Sequence, residues 1–162
     1  MLVSFAESIV DSSLTQWIQA TYWLWPVMEI THFIGLTLLL GGLIIIDLRM
    51  AGFLRAIDPA ATHKLLPAVA LGFTLNLVTG ILFFYGDPMR YSINIGFQFK
   101  MVLVLIAGIN AALYHWKVDP LLGTMDRSLA SPTIAKVVAF TSLGTWTGVL
   151  LLGRLIPYVG TG

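Results

Sequence analysis

Four long apolar runs separated by short polar stretches set the pattern of this chain. They cover about residues 25–47, 65–85, 95–116 and 135–158. Each is close to the ~20 residues that cross a bilayer as a helix, so the pattern predicts an all-α membrane protein built as a bundle of four transmembrane helices. Pro26 and Pro67 fall in the first turn of their runs, where a missing N–H costs nothing. Trp23 and Trp25 suit the membrane interface. Gly35, Gly41, Gly42, Gly80, Gly108, Gly144 and Gly148 allow helices to approach closely. Ahead of the first run the period changes. Leu2, Phe5, Ala6, Ile9, Val10, Leu14, Trp17 and Ile18 recur at spacings of three and four, opposite Glu7, Asp11, Ser12 and Gln16. Residues 1–21 are therefore expected to form an amphipathic helix lying at the interface, and 22–162 the transmembrane domain.

Composition agrees with a membrane location. Charged residues make up 10% of the 162 and hydrophobic residues 57%, against roughly 25% charge in a soluble domain. A net charge of +1 with no basic patch excludes a nucleic-acid partner and leaves the lipid bilayer as the expected one. The absence of cysteine removes thiolate chemistry and cysteine-ligated metals. Residues 1–8 contain Glu7 and no basic group, so no cleavable signal is expected. Arg49, Arg55 and Lys64 lie in the first connection, and Lys117, Arg127 and Lys136 in or beside the third. The second holds only Arg90, so the positive-inside bias puts both termini outside. The stretch from Lys117 to Thr133 reads as a polar loop.

The chemistry lies in the few polar groups inside the runs. Glu29 and His32 are three residues apart, hence on one helix face. Ionisable groups within hydrocarbon cost several kcal/mol unless paired, and by default mark a function. At ~1.5 Å per residue, Glu29, His32, Lys100, Arg154, Asn76 and Thr79 fall in one slab of the outer half. Glu29 is expected to pair with Arg154. His115 lies at the inner end, roughly 15 Å or more from His32 in height, so the two do not share an iron within one subunit. His63, also inner, reads as a solvated loop residue. Asp47 and Arg49 read as interfacial anchors, and Asn110 as a maker of an interhelical hydrogen bond.

Trp25-Pro-Val-Met-Glu-Ile-Thr-His-Phe-Ile-Gly35, Asp47-Leu-Arg49, Leu66-Pro67, Thr79-Gly80, Tyr91 with Asn94, Phe99-Lys100, Ala107-Gly-Ile-Asn110 and Gly153-Arg-Leu-Ile156 resemble, in order and spacing, a family of small four-span bacterial membrane proteins of unknown function. The resemblance covers about residues 22–160. It implies the four-span fold and a bacterial inner membrane, hence periplasmic termini, and supplies no activity. The general layout is similar to small b-type cytochromes in architecture alone.

Haem b is the leading cofactor expectation, for electron transfer or small-molecule redox chemistry. A neutral imidazole can serve as axial ligand without cysteine, with His32 in that role and Glu29 beside it. Arg154, Lys100 and Arg90 would face the haem carboxylates, and Asn76 completes the binding set. No second histidine shares the depth of His32, leaving the other axial position open. The alternative is a copper or non-haem iron site on His32 and Glu29, alone or beside haem, with His115 as a further candidate ligand. With Glu7 and Glu29 the only glutamates, one subunit is short of the ligands that di-iron bundles use, which, with the exposed surface of four thin helices, points to a homo-oligomer. A non-catalytic accessory or assembly subunit is the third reading. A proton or solute pathway is the fourth, disfavoured by the lack of repeated halves.

Overall fold

The computed structural model describes residues 2–123 and 132–159, and these are all-helical, with no strand. Four helical stretches are long and apolar enough to cross a membrane: Leu24–Ala51, Ala61–Gly86, Ile95–Leu121 and Thr133–Leu155. The segment expected as one amphipathic helix is two, α1 (Leu2–Ile9) and α2 (Ser13–Ala20). The break has a local cause. Ser12 accepts from the Thr15 amide as the N-cap of a new helix, while Thr15 Oγ1 donates to Ile9 O at 2.9 Å.

The long helix α3 (Leu24–Ala51) runs one turn past its expected end and stops at Gly52, whose φ of 93° favours glycine. The short α4 (Pro59–His63) leads into α5 (Leu66–Gly86). The short α6 (Pro88–Ile93) is capped by Asp87, and α7 (Ile95–Leu113) by Asn94, whose oxygen accepts from the Phe97 amide at 2.9 Å. Beyond α7 the helix does not give way to a loop at Lys117. It continues through a π turn, Tyr114–Val118, into α8 (Asp119–Gly123). Buried Val118 anchors that extension against the core. Arg127 and the rest of the expected loop over 124–131 lie outside the described residues. The last helix is α9 (Thr133–Leu155).

The bundle consists of two antiparallel pairs, α3 with α5 and α7 with α9, joined where α3 packs on α9. Along the first pair the buried positions recur every seven residues: Met28, Gly35 and Gly42 on α3, and Gly72, Thr79 and Gly86 on α5. Gly35 meets Gly72, Gly42 meets Val69, and Gly86 meets Trp25. A methyl added to Gly72 would stand 2.5 Å from Leu39 N and 2.6 Å from Gly35 O, so backbone faces backbone. Gly41, Gly80, Gly108 and Gly144, expected in close contacts, have no such neighbour. Asn110 joins the second pair by donating to Val138 O at 3.0 Å, the interhelical bond expected of it. Large apolar side chains remain exposed around the helices, among them Leu71, Ile81, Leu105 and Ile109, as suits helices that face lipid.

The α1 and α2 helices and α6 cover one end, here the near end, where Gln19 donates to Gly86 O at 3.1 Å and Asn94 Nδ2 donates to Ile156 O at 2.9 Å and to Val159 O at 2.6 Å. The π turn, α4 and α8 lie at the far end. Gly72→Ala is expected to lower stability by about 1–3 kcal/mol through forced separation of α3 and α5, whereas Gly80→Ala should be neutral or stabilising by up to about 1 kcal/mol. Thermal unfolding of the two variants in detergent checks this.

Candidate functional site

His32 sits two turns into α3 and faces α5. Its Nδ1 lies 2.7 Å from Thr79 Oγ1, and the same hydroxyl lies 2.6 Å from Leu75 O. A hydroxyl that close to the carbonyl four residues back must give it its single proton, because two bare oxygens at that separation repel. The Thr79 oxygen therefore accepts, and Nδ1 donates to it. That fixes the tautomer of the neutral ring and leaves the lone pair on Nε2, which has no hydrogen-bond partner among the described residues. Phe83 packs against the ring in an edge geometry at 5.5 Å between centroids.

Lys100 comes from the second turn of α7, close enough for its charge to act on His32. Gly153 on α9 makes room for it: a methyl there would stand 3.4 Å from Lys100 Nζ. Among the described residues this half-buried ammonium has neither an ion-pair partner nor a hydrogen bond. A cation held away from water without a counter-charge is expensive, so this position suits a ligand that brings a negative charge. Imidazole and hydroxyl thus meet between α3 and α5, with the ammonium of α7 within electrostatic reach and seated against Gly153 of α9.

The other residues expected here stand apart from that trio. Glu29 is exposed and accepts from Trp25 Nε1 at 3.2 Å; Arg154 is exposed and lies over the Tyr158 ring at 5.6 Å. The expected Glu29–Arg154 ion pair is not formed, because each side chain finds an aromatic neighbour on its own stretch of chain. Arg90 is exposed at the near end. Burial pushes the phenol of nearby Tyr91 above its usual range, with Arg90 acting in the opposite sense and the charges of Asp87 and Glu29 adding to the rise. Asn76 lies one turn from Thr79 and is turned back onto its own helix, donating to Gly72 O at 2.9 Å against Gly35.

His115 lies at the far end, exposed, with Nδ1 4.0 Å from Asp119 Oδ2. His63 is not merely solvated: its Nε2 lies 3.3 Å from Asp119 Oδ1. Both histidines thus converge on one carboxylate that a reading of 117–133 as loop could not place. Asp47 is not an interfacial anchor either. At 2% exposure it is buried, beside Ser142 of α9. Ile46 and Met50 mark the buried stripe of α3, and Asp47 follows the first of them directly, which was the available signal. Among the described residues no three His, Asp or Glu side chains gather as a metal-holding group.

No family model, characterised protein or solved structure matches this chain. The site must therefore be read from its own geometry. Thr79→Val, which keeps the shape and removes the acceptor, is expected to cost about 1 kcal/mol and to release the ring from a single tautomer. Thr79→Ser should retain both. Ring 15N shifts of His32 in labelled protein separate these outcomes.

Proposed function

We propose that the chain is a multi-pass protein of a bacterial inner membrane that binds haem b, with His32 Nε2 as axial ligand. The observation that carries this reading is a single ligand-ready imidazole beside an uncompensated ammonium. A bare copper or iron ion needs three or more protein ligands, and the described residues gather none of the groups that would supply them. A haem iron brings four nitrogens of its own, so one histidine suffices. The macrocycle's carboxylates supply the negative charge that Lys100 lacks. Glu29, turned toward Trp25, is left out of the ligand set and borders the site.

Haem supplies one-electron or small-molecule redox chemistry when bound. The protein's part is to hold the axial nitrogen through Thr79, to pair a carboxylate with Lys100, and to keep lipid against the surrounding helices. Arg154 and Arg90, exposed at the near end, are placed to meet a second anionic group. With one histidine in reach, any further ligand to the iron would come from a small molecule or from a neighbouring subunit.

The near end is read as periplasmic. The Lys and Arg residues of the first and third connections put the far end in the cytoplasm, and α1 and α2 lie along the outer interface. The resemblance to four-span bacterial proteins of unknown function agrees with this placement. Self-association would use the outer face of α7, where Gly108 and Ala112 leave an apolar groove beside Trp116.

The test is the optical spectrum of detergent-purified protein supplied with haem. A Soret band with reducible α and β bands is expected. His32→Ala should abolish it, and Lys100→Met should retain the band shape while lowering haem occupancy. A colourless protein carrying stoichiometric copper or iron favours the metal-ion reading. One with neither leaves the accessory-subunit reading.

A further inference from the structure

The flank of the bundle between α5 and α7 is built unlike the others. Elsewhere the long helices pack on one another, α3 on α5, α7 on α9 and α3 on α9, but α5 and α7 do not pack along each other. They are accordingly the least buried of the four spans. Rings bridge this flank at two heights. Near its top, Phe84 of α5 stacks on Phe97 of α7 at 5.7 Å between centroids. Phe5 of α1 stacks on Phe84 at 6.1 Å, and Tyr91 of α6 lies edge-on to Phe97 at 5.3 Å. Lower down, Phe73 of α5 meets Trp146 of α9 edge to face at 6.4 Å. Between the two bridges, Phe73, Leu77, Gly80 and Phe84 share one face of α5. A methyl added to Gly80 would meet no atom within 4 Å, and Leu77 is exposed, so that face is uncovered.

Lys100 stands at the same level. It lies one turn beyond Phe97 on α7, as Gly80 lies one turn before Phe84 on α5, so the two differ in height by about 2 Å. The lower bridge is seven residues deeper on both α5 and α9, ~10 Å below Gly80 and Gly153. Lys100 belongs to the buried stripe of α7, in phase with Gly96, Ala107 and Asn110, and its Nζ is seated against Gly153. The carboxylates of the near half are turned elsewhere. Glu29 accepts from Trp25 Nε1, Asp87 accepts from the Arg90 amide, and Glu7 and Asp11 are exposed on the N-terminal arm.

We propose that the flank between α5 and α7 is a lateral binding site for a single-chain amphiphile with a carboxylate head, of the long-chain fatty acid class, entering from the bilayer. The carboxylate pairs with Lys100, and the acyl chain lies over Gly80 and Leu77 toward lipid. Charge complementarity selects the head, because an ammonium held off water gains most from a counter-charge that arrives with its own apolar cover. The upper ring bridge selects for size. A phospholipid head stays in the interfacial layer above Phe84 and Phe97, whereas a bare carboxylate is compact enough to sit one turn beneath them. This site does not require haem. Competition between the fatty carboxylate and a macrocycle carboxylate for Lys100 is a consequence that alone rests on the haem reading.

Electron paramagnetic resonance of doxyl-labelled stearate added to the haem-free full chain, in phosphatidylcholine nanodiscs, tests this separately from the Soret band. A saturable immobilised component is expected, displaced by oleate and not by methyl oleate or phosphatidylglycerol. Lys100→Met should weaken binding about tenfold or more, and Lys100→Arg should retain it. Gly80→Leu, which covers the open face and leaves the charge, should weaken it as well, so the proposal stays testable if the methionine variant fails to fold. Absence of a saturable component in the unmodified protein overturns the proposal. Equal displacement by methyl oleate or by phosphatidylglycerol overturns the carboxylate head. Unchanged binding in Lys100→Met overturns its partner, and unchanged binding in Gly80→Leu overturns the location.

Discussion

The close approach of α3 and α5 governs this molecule. Two backbones can run together only where side chains vanish, and Gly35 and Gly72 remove them at the crossing. The register set there carries along the pair: position 42 meets 69, 32 meets 79 and 25 meets 86. Thr79 reaches His32 because it lies one heptad beyond Gly72 on the same buried stripe. The imidazole is thus oriented by a contact about two turns away along α5.

The second pair works differently. On α9, Gly148 admits Leu103 and Gly153 admits Lys100, so small residues there make pockets for long side chains of α7 and do not bring backbones together. One pair supplies a rigid, pre-oriented base, and the other delivers a flexible cation to it. Under the proposed haem reading, rigid placement of the ring would serve the iron and adjustable placement of the charge would serve a carboxylate.

Much of this was legible from residue order. The four apolar runs predicted the long helices to within a few residues, because a ~20-residue apolar run fits few other structures. Depth reckoning put His32, Lys100 and Thr79 in one slab. It could not choose between Thr79 and Asn76, one turn apart, because depth does not give helix phase. The seven-residue spacing of Gly72, Thr79 and Gly86 does. The pairing of Glu29 with Arg154 failed for a related reason: charge complementarity at equal depth ignores nearer aromatic partners. At the far end, Asp119 was hidden because Pro120 and the polar residues around it read as a loop, and a π turn has no sequence period of its own. Asp47 was read as an anchor from its position near a helix end, although it directly follows a buried position.

The two ends of the bundle are secured by different kinds of force. At the near end one amide, Asn94, both starts α7 and grips the carbonyls of Ile156 and Val159, and Gln19 fastens α2 to the tip of α5. Those bonds carry no net charge. At the far end α4 and α8 meet through an imidazole and a carboxylate, a contact open to solvent and subject to screening. Dissolved electrolyte therefore acts on one mouth of the bundle and spares the other, so the far-end rim is where this protein can respond to its medium without disturbing the ring held opposite Thr79.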